Sequence, residues 1–362
     1  MTTARMSTES WRSLSSDLAG MSPAYFGMAM ATGIVSIAAH LLGVAWLARG
    51  LFLLNVLIYV LLWLLTLARL WLYPARFFQD MVDHLRGPGF FTLVAASGVL
   101  GSQCLLIAGS LAWGFALWGV ALALWLVLTY TIFTAFTIKA DKPKLDQGIS
   151  GAWLLAVVAA QSLAALGTLL AANVGQPYRL EMNFFALSMW LWGGMLYIWM
   201  MSLIFYRYTF FRFSPSDLSP PYWINMGAMA ISTLAGSQLI LNAPDASLLL
   251  SILPFIKGFT VFYWATGTWW IPMLVVLAIW RHGVMRFPLR YDPLYWGAVF
   301  PLGMYGACTQ RMRLALSLEF LGYLPWLFLV IAALAWTVAF VGFVLDLRQR
   351  LRAAWPTAVP GV

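Results

Sequence analysis

Charged residues are scarce in this chain of 362 residues: Asp, Glu, Lys and Arg together make up 9% of it, whereas soluble globular domains average about 25%. Hydrophobic residues make up 62%. These proportions exclude an ordinary soluble domain. The 21 basic residues outnumber the 12 acidic ones, but they lie in short segments between apolar stretches. They therefore form no basic domain that would bind nucleic acid.

Residues that serve as metal ligands, nucleophiles or general bases are also few. The chain has two Cys and three His, and both Cys lie in apolar segments, which argues against a disulfide framework or a metal site. His84 and His282 lie in different loops, and no His-x-x-His motif or pair of acids is embedded in an apolar segment. The sequence therefore predicts neither an enzyme nor a bound metal or cofactor.

What the chain has in abundance is apolar segments. Segments of about 20 residues recur along it, the length that crosses a bilayer core of about 30 Å. This pattern predicts an all-α integral membrane protein with a tail at residues 1–22, a transmembrane domain at 23–345 and a second tail at 346–362. The ten predicted spans are 23–42, 51–72, 89–109, 111–136, 149–172, 184–206, 222–241, 255–280, 294–310 and 323–345.

Basic residues alternate between the two ends of the predicted spans. Sixteen of them lie in the two tails, in the loops that follow even-numbered spans or, for Arg69, at the end of the second span, and four lie in the other loops. Loops rich in Lys and Arg stay in the cytoplasm. The bias therefore predicts a multi-pass protein of the cell (inner) membrane with both termini in the cytoplasm.

Amide and imidazole side chains recur at one position of the odd-numbered spans. Each of these spans carries two small residues followed by Gln or His, and no even-numbered span contains either residue type. An unpaired amide in hydrocarbon costs roughly 2–7 kcal/mol, so we expect these groups to face a shared axis. The sequence predicts five quasi-repeated hairpins, with an inner ring of odd helices around a pore and an outer ring of even helices. The predicted polar collar of the pore consists of His40, Gln103, Gln161, Gln238 and Gln310.

A second interpretation of the same residues stays open. Small residues and Gln also stabilise helix packing in membranes. A lone His such as His40 is often a hydrogen-bonded structural residue. The collar prediction depends on all five residues lying at the same position in their helices.

The ninth span adds a candidate gate. Phe300, Gly303, Ala307 and Gln310 fall within about 80° of one another at 100° per residue. Phe300 is the bulky member, and it directly precedes Pro301, which removes a backbone hydrogen bond and can kink the helix. An aromatic ring in a narrow lumen closes it by steric block and dewetting. The alternative is an ordinary core or lipid-facing phenylalanine.

Positive potential for an anion is predicted at both ends of this pore. Prolines stand at or just before the starts of four odd helices, where the helix dipole is positive. These are Pro23, Pro88, Pro221 and Pro293. At the other end we expect a basic outer vestibule of Lys257, Arg311 and Arg313. The alternatives are snorkelling of Lys257 to the interface, and an ion pair with Glu319 or a lipid contact for the two arginines.

Acidic residues are missing from all ten predicted spans. Proton-coupled symporters commonly use intramembrane carboxylates or His relays. Their absence favours a channel or uncoupled exporter over a proton-coupled carrier. A non-conducting receptor or sensor is a further alternative, but the short tails offer no signalling domain.

Two motifs resemble the tellurite-resistance/dicarboxylate transporter family, which includes TehA-like bacterial proteins, fungal malate permeases and sulfite pumps, and plant slow-type anion channels. They are PAYFGM at 23–28 followed by ATGI at 31–34, and WGAVFPLG at 296–303. The resemblance covers residues 23–345. It implies the two-ring arrangement and a homotrimer with one pore per protomer, occluded by Phe300.

The resemblance also implies which partners to expect. They are small anions of the chloride, nitrate, dicarboxylate or sulfite class, and membrane lipid. A proton-coupled carrier of malate-like four-carbon dicarboxylates or of sulfite is the alternative within the same fold. The tellurite of the family name is a resistance phenotype and does not identify the substrate.

Overall fold

The computed structural model describes residues 15–354, which contain ten long helices and no strand. Three short helices, Pro74–Met81, Leu145–Gly148 and Ser247–Ser251, lie between them. The long helices are α1 Gly27–Leu41, α2 Ala45–Leu72, α3 Phe91–Leu106, α4 Leu111–Ile138, α5 Leu155–Ala171, α6 Tyr178–Phe210, α7 Ile224–Asn242, α8 Leu253–Ile279, α9 Trp296–Leu316 and α10 Tyr323–Ala354.

Each odd helix begins with a 3-10 turn. The five turns are Pro23–Phe26, Gly87–Phe90, Gly151–Leu154, Pro220–Trp223 and Pro293–Tyr295. Four of them carry proline at the first or second position, where the missing N–H leaves no bond unmade. The turns contact one another around a closed ring. All five odd helices therefore start at the same end of the molecule and run parallel.

The ten helices form two concentric rings. The inner ring closes in the order α1, α3, α5, α7, α9 and back to α1, and each even helix packs on the outside against the odd helix that precedes it. The apolar segments of α1, α3, α5 and α7 are 78% to 94% buried, whereas those of the even helices are 22% to 50% buried. The predicted fold of five hairpins in two rings is confirmed.

Tryptophans tie the outer ring to the inner one. On four even helices an indole Nε1 donates a hydrogen bond to the odd helix that follows. These bonds are Trp118 to Leu163 O (3.3 Å), Trp190 to Ser232 O (2.8 Å), Trp264 to Thr309 Oγ1 (3.0 Å) and Trp336 to Thr32 Oγ1 (2.9 Å). The donors recur at intervals of 72, 74 and 72 residues. Because each bond links one hairpin to the next, and the last links α10 to α1, the set covers four of the five junctions between hairpins.

Among the described helices, nine are long and apolar enough to cross a membrane, and α9 is the exception. It has 21 residues, enough to span, but its composition is less apolar than that of the other nine. The predicted end at residue 310 is too early, because α9 runs on to Leu316 and includes Arg311 and Arg313. Long polar side chains are compatible with this helix because it packs inside the bundle, where lipid does not cover it.

The last helix is also longer than predicted. α10 continues to Ala354, so the segment predicted as a tail at 346–362 begins as helix. The segments 1–14 and 355–362 of the two predicted tails lie outside the described residues.

Candidate functional site

The axis of the inner ring holds two cavities, and each is lined by residues from all five odd helices or the turns that precede them. The turn-side cavity lies beside the 3-10 turns, and its wall includes Ala24, Thr92, Ala152, Pro221 and Phe300. The arginine cavity lies further along the same helices, and its wall includes Ile34, Ser102, Ser162, Gln238 and Arg311. Five parallel helices thus enclose both spaces without help from the outer ring.

Large apolar side chains lie at the level between the two cavities. Phe300 lines the turn-side cavity and Met304, one turn later, lines the arginine cavity. Each has 1% of its surface exposed. On α1, Met30 lines the turn-side cavity and Ile34, one turn later, lines the arginine cavity. Phe300 is therefore at the boundary, on the face of α9 that points to the axis.

The neighbours of Phe300 in the predicted strip pack against other inner helices. Pro301 lies inside α9, and a Cβ on Gly227 of α7 would come within 2.6 Å of its ring. Gly303 faces α1, because a Cβ added to this glycine would lie 3.0 Å from the side chain of Ile34. Ala307 is buried. Both glycines permit close approach of neighbouring helices, a role that small residues commonly have in membranes.

Trp296 and Gly297, at the start of α9, line the turn-side cavity, and from Phe300 onward the lining residues of this helix are Phe300, Met304 and Arg311. At 100° per residue these three fall within about 40° of one another. The lining strip therefore includes the predicted Phe300 but continues through different residues from those predicted.

One of the predicted collar residues, Gln238, lines the arginine cavity. Its amide oxygen Oε1 accepts a hydrogen bond from the hydroxyl of Thr168 on α5 at 2.7 Å. Gln310 accepts a hydrogen bond from Arg313 Nε at 3.3 Å. His40, partly exposed near the end of α1, lies within electrostatic reach of Arg311.

The other two collar residues bond to the outer ring. Asn55 Nδ2 on α2 donates to Gln103 Oε1 at 2.6 Å, and Gln161 Nε2 donates to the backbone oxygen of Trp190 on α6 at 2.9 Å. Both Gln side chains are fully buried. These contacts are of the helix-packing kind that the sequence left open. Sequence reasoning missed Asn55, although a lone amide in an apolar segment signals the need for a partner.

Among the described residues that line the arginine cavity, Arg311 is the one that carries a charge. In the part of the chain that the structure describes, no carboxylate lies within salt-bridge distance of it. Its Nε is buried and has no hydrogen-bond partner among the described residues. Because an arginine side chain stays protonated in proteins, the cavity carries a fixed positive charge that nothing in its wall neutralises.

The other two residues of the predicted basic vestibule lie elsewhere. Arg313 follows Arg311 by two residues, which turns it by about 200° around the helix, and it pairs with Glu319. Lys257 is exposed on the outer-ring helix α8 and lines neither cavity. Of the three, only Arg311 meets the axis. Within the described residues, no three His, Cys, Asp or Glu side chains come together as metal ligands would.

Comparison with known proteins finds a family match over most of the chain. The family model described as voltage-dependent anion channel matches residues 20–344. An uncharacterized membrane protein of Mycobacterium tuberculosis is 41% identical over 153 residues, which are 40% of this chain and 74% of that protein.

Two further relatives align over most of their length. An uncharacterized transporter of Methanocaldococcus jannaschii is 23% identical over 83% of this chain and 86% of its own length. A sulfite efflux pump of Arthroderma benhamiae is 25% identical over 88% of each chain. The similarity to these transporters therefore extends through both rings of helices.

Proposed function

Because the chain belongs to the voltage-dependent anion channel family, we propose that it is an anion channel or uncoupled anion exporter. Small inorganic or organic anions pass along the axis of the inner ring, through one pore in each protomer. Phe300 occludes this pore in the resting state. The protein resides in the cell membrane with both termini in the cytoplasm and assembles as a homotrimer.

One observation carries the proposal: two cavities on the inner-ring axis are separated at Phe300 and Met304, and the wall of the second includes the unpaired Arg311. An anion approaching the turn-side cavity meets the starts of five parallel helices, whose dipoles present partial positive charge. Beyond the boundary it meets the guanidinium of Arg311. None of the described residues that line the two cavities is an Asp or Glu that would repel it.

A proton-coupled carrier for sulfite or a malate-like dicarboxylate is the second candidate. One of the relatives is a sulfite efflux pump, so sulfite is one of the substrates to test. Proton coupling needs a group that binds and releases a proton along the path. In the described structure His40 lies within electrostatic reach of Arg311, so this residue is the candidate on which coupling would depend.

The membrane arrangement follows from charge and surface. The excess of Lys and Arg in the tails and alternate loops supports cytoplasmic termini, so a reporter that is active only outside the cytoplasm should be inactive after Val362. The exposed apolar faces of the even helices, such as Trp71 and Ile138, suit contact with lipid or with neighbouring protomers.

Reversal-potential recording of the purified protein in planar bilayers tests this function. A gradient of potassium chloride should give a reversal potential near the chloride equilibrium value, and replacing potassium by a bulky organic cation should not move it. Nitrate, sulfite, malate and tellurite are then compared under equal gradients. A reversal potential that follows potassium refutes anion conduction, and current that appears only with a pH gradient supports the coupled carrier.

A further inference from the structure

We propose that Arg311 forms an oxyanion-binding site in the arginine cavity, and that this site favours anions with two neighbouring oxygens over halides. Nitrate, sulfite and carboxylates belong to the favoured class, and chloride and bromide do not. The inference rests on the proposed function, because the cavity must lie on the route of the anion for the preference to appear in transport.

The first argument is the unused hydrogen-bonding capacity of Arg311. Its Nε is buried and has no hydrogen-bond partner in the structure. A buried donor without an acceptor destabilises the fold, and protein groups nearly always avoid this situation. An anion in the adjoining cavity supplies the missing acceptor, so binding it relieves a cost that the empty protein carries.

The second argument is the shape of the donor. The Nε–H and one neighbouring Nη–H of a guanidinium are parallel and form a fork. Two oxygens of one carboxylate, nitrate or sulfite accept both bonds at once. A halide is a single centre and cannot take both bonds in that parallel geometry. The buried atom without a partner is Nε itself, and its N–H is one of the two arms of this side-on fork.

The third argument is the surroundings of the guanidinium. The described residues that line the arginine cavity include no acid, and the polar ones besides Arg311 are Ser102, Ser162 and Gln238. The two serine hydroxyls now donate to carbonyls of their own helices, at 2.9 and 2.8 Å, and a rotation about one bond turns them toward a bound anion. With a single fixed charge the site holds an anion without trapping it, as conduction requires.

The position of Arg313 provides a matched comparison on the same helix. It is the same residue type, two positions further along, and it already pairs with Glu319. Its charge is therefore satisfied within the protein, and it does not line the cavity. A change from Arg to Lys at either position keeps the charge but replaces the planar fork by a compact ammonium.

The experiment measures permeability ratios in the Phe300→Ala background, where the proposed gate is removed. The probes are nitrate and bromide, two monovalent anions that lose water at similar cost. For Arg311→Lys the nitrate-to-bromide ratio should fall by about tenfold, the loss expected when one charge-assisted bond of the fork is gone. Selectivity for anions over cations should remain. Arg313→Lys should leave the ratio unchanged.

The nitrate-to-bromide permeability ratio tests whether Arg311 forms the oxyanion site. If Arg311→Lys conducts anions with the same nitrate-to-bromide ratio as its parent, or if Arg313→Lys shifts the ratio equally, the site is not an oxyanion fork. If no variant conducts any anion, the proposed function fails instead, and binding must be measured directly.

Direct binding uses the unmodified protein and so does not depend on the folding of a variant. Sodium bromide is replaced stepwise by sodium nitrate at constant total salt, and the midpoint of thermal unfolding in detergent is followed. A saturable rise supports the site whether or not the protein conducts. An unchanged midpoint across the whole replacement overturns the proposal.

Discussion

Phe300→Ala is expected to open the pore while leaving the bundle intact. The ring is 1% exposed and lies at the boundary of the two axial cavities. Truncation removes the ring but none of the five helices that enclose the axis. Water can then connect the two cavities, and an anion no longer has to cross an apolar layer without its hydration shell.

Phe300→Ala should change both the stability of the protein and its conductance. Removing a well-packed phenylalanine side chain costs about 3–5 kcal/mol of stability, because the neighbours collapse only partly into the space. The conductance should rise at least about tenfold, which requires a barrier lowered by only about 1.4 kcal/mol. Leucine at this position fills more of the space than alanine, so Phe300→Leu should give a smaller rise in conductance and a smaller loss of stability.

Phe26 supplies the matched control. It is also 1% exposed and lies at the same end of the inner ring, but its ring packs edge-on against Tyr59 at 5.9 Å and Trp63 at 5.6 Å on α2. Phe26→Ala should therefore destabilise the protein to a similar degree without raising conductance.

The assay combines single-channel or macroscopic recording in planar bilayers with recovery of the oligomer by size-exclusion chromatography in detergent. Only variants recovered in the same oligomeric state as the parent are compared. If recovered Phe300→Ala conducts chloride and nitrate no better than the parent, Phe300 is a packing residue. If Phe26→Ala conducts as well as Phe300→Ala, the effect is general loosening of the bundle.

Two further predictions concern stability. Trp190→Phe removes a buried hydrogen bond to α7 and part of a fully buried side chain, so unfolding free energy in detergent should fall by about 1–3 kcal/mol. Trp46, which is 77% exposed, should tolerate the same change within about 0.5 kcal/mol, and equal effects at both sites would contradict the role of the bond. Burial acts to raise the pKa of Asp217, but hydrogen bonds from Ser214 and the charge of Arg207 outweigh it and lower that pKa. Its stabilising contribution is therefore full above its unfolded value of about 3.9 and is lost as pH falls through the lower folded value. Thermal unfolding from pH 6 to pH 3 should show a shallower acid decline in Asp217→Asn than in the parent, and an unchanged decline would refute the sign.

The hydrogen bonds of the four tryptophans show why part of this architecture could not be predicted from the sequence. Their interval of 72 to 74 residues is present in the sequence, but 20 tryptophans are scattered through the chain, and most offer no such bond. Which indoles reach a neighbouring inner helix depends on the rotation of each outer helix about its own axis. A nearly uniform apolar composition does not specify that rotation, because both faces of an outer helix are compatible with an apolar environment.

The amides behave in the same way. The sequence identified buried polar groups on the odd helices, and four Gln side chains are indeed buried. It did not distinguish a group that meets the lumen, as Gln238 does, from one that meets the outer ring, as Gln103 does. A buried amide needs a partner, but only the packed structure shows that Asn55 supplies one for Gln103.

By itself the sequence determined the ten helices, their pairing into hairpins and the common direction of the odd ones. These properties follow from segment length, proline at helix starts and the repeated position of polar residues, which are local features of the chain. Tertiary structure alone decided which side chains face the axis. Arg311 and Arg313 are both basic and two residues apart, yet one lines a cavity and the other pairs with Glu319. The difference arises because a turn of about 200° separates them on the helix, and only the packing of α9 against its neighbours sets which of the two directions points inward.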